Sequence, residues 1–174
     1  MEIDILNAIQ TLRNPVFDVL MPIISHIGNG VLAIVLSIVL MVCKKTRKIG
    51  IALTLALILE FTVGGLILKP LIARQRPFTV NTAIQLIIAK PTDLSFPSGH
   101  TSAAFSMVFT LLFLKNKWWI PMCVLATCIA FSRMYLYVHY PTDILGGFIV
   151  GLVAAYVVVK GMEWYENRKS STIQ

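Results

Sequence analysis

Apolar residues in this chain gather into long runs separated by short polar stretches. A membrane-crossing helix needs about 20 mostly apolar residues. Five segments are candidates: 24–43, 49–68, 99–114, 118–138 and 142–161. Several are short, and the first starts with Ser25, His26, Gly28, Asn29 and Gly30. Polar ends of this kind predict a protein-lined pocket rather than lipid around them. Ahead of these runs, Ile3, Ile5, Leu6, Ile9 and Leu12 recur at near-helical spacing, with Glu2, Asp4, Asn7, Gln10 and Arg13 between them. Pro15 restarts the chain, and VFDVLMPII follows. The pattern predicts one or two amphipathic helices at the membrane interface over residues 1–23; the alternative is a sixth, partial span over 16–27. The expected architecture is all-α: a polytopic membrane helical bundle with about five transmembrane helices and N-terminal interfacial helices. One domain is expected over 1–174, with the bundle at 24–161 and a cytoplasmic tail at 162–174.

Composition supports the membrane reading. Hydrophobic residues make up 57% of the chain and charged residues 13%, against about 25% charged in soluble domains. Mean hydropathy is +0.80. The net charge of +7 does not imply nucleic acid, because the basic residues are split among short loops. KKTRK (44–48), KNK (115–117) and KGMEWYENRK (160–169) fall in alternate loops, so positive-inside bias places all three in the cytoplasm. The loops at 69–98 and 133–141 then face outward. Cys43, Cys123 and Cys128 lie in apolar runs without CxxC spacing, and no disulfide framework is expected. The N-terminus lacks a basic leader and a long apolar core, so it does not read as a signal peptide.

The outward loops are where charge is out of place. They and the adjoining helix ends hold Lys69, Arg74, Arg76, Lys90, Arg133, His100 and His139, with Asp93 and Asp143 the acids there. Arg74 and Lys90, taken singly, read as snorkelling side chains. The others have an order. In KPLIARQRP, Lys69 and Arg76 are seven residues apart; in a helix they would share a face about 10 Å apart, with Pro77 ending it. Arg76 can fork onto two phosphate oxygens and Lys69 supplies a point charge. Pro97-Ser98-Gly99-His100 stands at a predicted helix start, where unpaired N–H groups make an anion seat. Ser98 is positioned as the N-cap. SRMYLYVHYPTD brings Arg133, His139 and Asp143, and Pro141 can open the last span. Cations, a hydroxyl, a glycine N–H and two imidazoles on one predicted face suit phosphate chemistry.

These residues resemble a known family. K-x6-RP, PSGH and SR-x5-H-x3-D, here Lys69…Arg76-Pro77, Pro97-Ser98-Gly99-His100 and Ser132-Arg133…His139…Asp143, are similar to the three signatures of the type-2 phosphatidic acid phosphatase superfamily. The resemblance covers roughly residues 49–160. It implies that His139 is the nucleophile and forms a phosphohistidine, that Asp143 fixes its tautomer, and that His100 is the general acid. It implies phosphate binding by Lys69, Arg76, Ser98, the Gly99 N–H and Arg133. No cofactor or metal is expected, since the fixed cations do the electrostatic work that Mg²⁺ does elsewhere. The expected enzyme is a lipid phosphatase in a bacterial plasma membrane, with its site outside and a lipid phosphate as substrate. Undecaprenyl diphosphate ranks first, then phosphatidylglycerol phosphate and phosphatidic acid. The rivals are an anion or lipid-phosphate carrier and a vanadate-dependent peroxidase.

Other residues read structurally. His26 suits an interfacial or capping role, and Glu60 a hydrogen bond to a neighbouring helix or a protonated state. Trp118, Trp119, Trp164 and Tyr165 read as cytoplasmic anchors, and Tyr135, Tyr137 and Tyr140 as outer ones. GGFIVG (146–151) suits close helix packing.

Overall fold

A computed structural model describes residues 1–171, and the regular elements among them are helices. The first two are α1 (Glu2–Gln10) and α2 (Pro15–Ile27). Asn14 starts α2: its side-chain oxygen accepts from the Val16 and Phe17 N–H groups at 3.0 Å each, with Pro15 in the first helical position. Asn29 caps α3 (Gly30–Val42) in the same way through the Val31 N–H. The axes of α2 and α3 are bent by 46° at the break between them. Next, α4 (Arg47–Glu60) continues into a π-helical stretch, Phe61–Leu68, and then into α5 (Lys69–Ile72). A short α6 (Pro77–Val80) precedes a loop, and α7 (Gly99–Phe113), α8 (Trp119–Tyr135) and α9 (Pro141–Ser171) complete the bundle.

The central element is α7, which packs on α4, α8 and α9. Residues on every side of it are buried, from Thr101 through Met107 to Leu111, as expected of a helix surrounded by others. Its contact with α9 depends on two glycines. A Cβ on Gly147 would lie 2.7 Å from the Ser98 carbonyl oxygen, and one on Gly151 would lie 2.7 Å from both the Ser102 carbonyl oxygen and the Ser106 nitrogen. The helix backbones are that close, as the GGFIVG segment suggests.

The predicted spans each find a helix, with shifted bounds. Position 24 falls inside α2, and the helix break lies at Gly28–Asn29 instead. By length and composition the stretch 47–80 and α9 are long and apolar enough to cross a membrane, and the α2–α3 pair is a third if its two bent halves form one span; α7 and α8 are shorter apolar helices. α9 runs ten residues past 161, because its charged end finds partners: Lys160 pairs with Glu163, and Glu166 with Lys48, at 2.7 Å each. Residues 172–174 of the expected tail lie outside the described residues. Trp118, Trp164 and Tyr165 are exposed, in keeping with anchoring, and the three cysteines are free.

The expectation for the tyrosines fails. Tyr135, Tyr137 and Tyr140 are buried in a cluster with Leu6, Met21 and Phe78. The reason is the N-terminal segment, which folds over them. The Tyr135 hydroxyl donates to Asp18 Oδ1 at 2.7 Å and the Tyr137 hydroxyl to Asn7 Oδ1 at 2.8 Å. Leu6 is fully buried, so the apolar face of α1 packs on protein.

Gly151→Ala is expected to cost about 2 kcal/mol through overpacking. Gly161→Ala, where nothing lies within 4 Å of the added methyl, should leave stability unchanged or slightly raised. Thermal unfolding of detergent-solubilised protein by circular dichroism checks both; a wild-type midpoint for Gly151→Ala would refute the close-packing account.

Candidate functional site

Lys69 and Arg76 do not share a helix face. The helix ends at Ile72, where Ala73 takes a left-handed conformation (φ 49°), and Arg76 is extended. Pro77 opens α6 rather than ending a helix. The two cations meet nonetheless, because both bind the Asp93 carboxylate. Lys69 Nζ donates to Oδ2, and Arg76 Nη2 donates to Oδ1 at 2.7 Å. Arg76 Nε also donates to the Asp93 carbonyl at 2.8 Å. Burial favours the neutral acid, but the combined Lys69 and Arg76 contacts prevail and hold the Asp93 carboxyl down at about 2.

The turn between α8 and α9 presents His139. Leu136 to Tyr140 are all buried, and Tyr137 is in the left-handed region at φ 59°, a strained conformation for a bulky residue. It is held there by its hydroxyl, which donates to Asn7 and accepts from Asn81 Nδ2 at 3.0 Å. One residue further, Arg76 Nη1 donates to the Val138 carbonyl at 2.7 Å and lies 3.2 Å from His139 Nε2. Arginine has no acceptor, so this contact requires a lone pair on Nε2. The proton then sits on Nδ1, which faces Asp143 Oδ2 at 3.3 Å. Burial, reinforced by Arg76 and Arg133 and opposed by Asp143, lowers the His139 imidazolium to about 3.

Asp143 is fully buried in the first turn of α9. Its Oδ2 accepts from the Tyr140 N–H at 2.9 Å and from the Ser95 hydroxyl. Its Oδ1 faces Arg74 Nη1 at 2.8 Å. Arg74 is therefore no snorkelling side chain: it has a carboxylate partner within the site, and its guanidinium lies 3.9 Å over the Tyr140 ring. Lys90 is exposed in the loop.

At the start of α7, Ser98 occupies the N-cap position, but its hydroxyl makes no capping bond and accepts from Thr101 Oγ1 at 3.0 Å. Its N–H donates to the Asp143 carbonyl at 3.0 Å, joining the starts of α7 and α9. Gly99 has open space where a side chain would stand. His100 is close enough to feel the charges of Arg133, His139, Arg76 and Asp93. Arg133 is 4% exposed; Nη1 donates to the Ser25 hydroxyl, and Nε is buried with no hydrogen-bond partner. A buried guanidinium with an unused N–H suits an anion.

Beside this cluster is a cleft of about 530 Å³, lined by Lys69, Asp93, Gly99 and His100 at its polar end and by Ile34, Leu57 and Phe61 elsewhere. Arg76, Arg133 and His139 are not on its wall; Asp93 is, and it links the cleft to Arg76. Glu60 lines the cleft too and accepts from the Ser102 hydroxyl on α7, the helix-to-helix bond expected of it. At about 100° per residue, the nine residues from Glu60 to Lys69 would leave them on opposite faces of an α-helix. The wider winding of the π-helical stretch brings Glu60, Gly64, Gly65 and Lys69 to one wall. His26 is exposed in the last turn of α2.

Sequence reasoning missed four contributors. Asp93, Ser95 and Arg74 each touch a motif residue from a segment without regular periodicity, and Ser25 does so from the last turns of α2. The signal available for Arg74 was its position two residues before Arg76.

The model of the PAP2 superfamily matches residues 45–167. An undecaprenyl-diphosphatase of Sulfolobus acidocaldarius is 34% identical over 142 residues, covering 81% of this chain and 68% of that protein. The undecaprenyl-diphosphatase BcrC of Bacillus subtilis is 31% identical over 99 residues, covering 55% of this chain, and the match spans about half of its length, 51%. Among solved structures, the transmembrane PAP2-type phosphatidylglycerolphosphate phosphatase of Bacillus subtilis superposes with a TM-score of 0.77 at 27% identity, over 94% of this chain and 85% of that one. LpxE of Aquifex aeolicus gives 0.78 at 27% identity, over 91% and 94%. With its three signatures inside the matched region and its helices following the same path, the chain belongs to the PAP2 superfamily.

Proposed function

We propose that this membrane phosphatase removes a phosphate from a lipid phosphomonoester or diphosphate at the outer membrane face, through a phosphohistidine on His139. The observation that carries the reading is the double engagement of Arg76. Its guanidinium holds the Asp93 carboxylate on one side and touches His139 Nε2 on the other, so an oxyanion seated where that carboxylate lies would sit close to the imidazole. The substrate phosphate takes over the cations from Asp93. His139 Nε2 attacks phosphorus and the bond to the leaving oxygen breaks, with His100 giving that oxygen its proton. Asp143 supports the positive imidazole that forms. Water, activated by His100, then cleaves the phosphohistidine to free phosphate. Lys69, Arg76, Arg133, the Ser98 hydroxyl and the Gly99 N–H spread their charge over the phosphoryl oxygens. Those fixed cations support metal-independent catalysis.

Helix length and the placement of basic residues support the outer face. Arg47 and Lys69 are 22 residues apart on the α4–α5 rod, about 33 Å at helical rise and comparable to the hydrocarbon core. The basic clusters at 44–48, 115–117 and 160–169 lie at the other ends of the helices that carry the motifs. On the five-span reading, positive-inside bias at those clusters favours a site outside a plasma membrane. The apolar part of the cleft suits a lipid chain. The names of similar proteins, two of them undecaprenyl-diphosphatases and one a phosphatidylglycerophosphatase, favour undecaprenyl diphosphate first. Phosphatidylglycerol phosphate and phosphatidic acid follow.

Purified protein offered undecaprenyl diphosphate, phosphatidylglycerol phosphate and phosphatidic acid should release phosphate fastest from the first. His139→Ala should lose at least about a thousandfold in kcat; phosphate release by that variant at the wild-type rate would remove the mechanism. Lipid binding or transport without any release by wild type would favour the carrier.

Arg133→Lys replaces a fork with a point charge and should cost roughly a hundredfold in kcat/KM. Near-normal turnover would take Arg133 out of phosphate binding. A chelator should leave the rate unchanged, and a strong loss that added Mg²⁺ restores would contradict metal-free catalysis.

A further inference from the structure

The first helix reaches the site through one side chain. Glu2 Oε1 accepts from the Thr142 N–H at 3.1 Å and from the Thr142 hydroxyl at 2.7 Å. Its Oε2 pairs with Arg74 Nη2. Arg74 Nη1 in turn donates to the Thr142 hydroxyl at 2.6 Å and to Asp143 Oδ1 at 2.8 Å. The Arg74 carbonyl accepts from the Ser95 N–H at 2.9 Å, and the Ser95 hydroxyl donates to Asp143 Oδ2. Arg74 thus ties α1, the segment after α5, the loop before α7 and the first turn of α9 to one carboxylate. Leu6, fully buried in the tyrosine cluster, holds α1 in place for this.

We propose that Arg74, held by Glu2, is a positioning residue for the His139–Asp143 pair and sets how much of the Asp143 charge His139 feels. The inference rests on the reading of His139 as nucleophile. Arg74 draws on the Asp143 carboxylate from the side opposite the imidazole, so it weakens the pull of Asp143 on the Nδ1 proton. Glu2 offsets part of the Arg74 charge and so opposes that weakening. Other groups facing the pair are Arg76 from the segment before α6, Ser95 from the loop, His100 from α7, Arg133 from α8 and Tyr140 from the turn before α9. None of them contacts Asp143 Oδ1, which is engaged by Arg74 alone among the described residues.

The charge logic gives opposite signs for two substitutions. Arg74→Gln removes a cation, leaves Asp143 a stronger acceptor, favours the imidazolium, and should move the acid limb of kcat/KM to higher pH by about half a unit or more. Glu2→Gln leaves Arg74 uncompensated and should move that limb to lower pH. Arg74→Gln should also lower kcat about tenfold while KM stays within about twofold, and Arg74→Lys should restore the wild-type limb with part of the kcat. The reading independent of turnover is the ¹H shift of the His139 Nδ1 proton in ¹⁵N-histidine protein, assigned by its loss in His139→Gln. It should move downfield in Arg74→Gln and upfield in Glu2→Gln. Shifts in the same direction for both, or no shift in either, would overturn the proposal. Divergent shifts in a protein that releases no phosphate would uphold the coupling and sink the phosphatase mechanism instead. Circular dichroism checks folding, and if Arg74→Gln does not fold, Glu2→Gln and Arg74→Lys decide by the same two readings.

Discussion

Buried charge must be paired, and the site is organised by that requirement. Lys69, Arg74, Arg76 and Arg133 converge on one end of the bundle, where water is scarce and an unpaired cation is costly. Asp93, Asp143 and Glu2 meet the first three. Arg133 has a serine hydroxyl and an unmatched N–H. Four cations against three carboxylates leave one positive charge beside a neutral imidazole, a balance that an anionic ligand completes. Asp93 is the carboxylate best placed to yield, since its side chain is about half exposed while those of Asp143 and His139 are not.

The rest of the fold keeps those groups from relaxing apart. Lys69, Gly99, His100, Arg133 and Asp143 sit at helix ends and are fixed by the axes of their helices, Arg76 and His139 are held in the connecting segments, and the glycines of α9 set the distance between the α7 and α9 axes. The Ser98–Asp143 backbone bond then locks the two starts together. The turn carrying His139 is strained at Tyr137 and would reorganise without its cover. That cover comes from α1 and α2, through Asn7, Asp18 and Leu6. An N-terminal segment that looks peripheral by composition is therefore structural to the site.

Much of this was legible in the chain. Helix positions followed from apolar runs, Pro141 did open the last helix, and the GGFIVG spacing did mark a close contact. The residues of the three motifs do gather, because helix ends on one side of a bundle have few other places to go. What escaped was set by irregular backbone. The left-handed turn at Ala73 breaks the spacing that would align Lys69 with Arg76, and no periodicity announces it. The tyrosines are amphipathic and suit an interface equally well; only the docking of α1 and α2, a long-range event, decides for burial. Asp93 and Ser95 lie in a loop whose path depends on the partners it finds, so their place in the site could not come from local pattern.

The π-helical stretch on the second long rod works as a change of gear. By slowing the rotation of the chain over eight residues, it lets one helix show the Glu60 carboxyl and the Lys69 ammonium along a single track on the cleft wall. A lipid bound in that track, as proposed, would meet polar groups at two depths, one near its phosphate and one several carbons down. The spacing between those depths is written in the winding of the helix rather than in any loop, which makes it a rigid measure of the molecule that lies there.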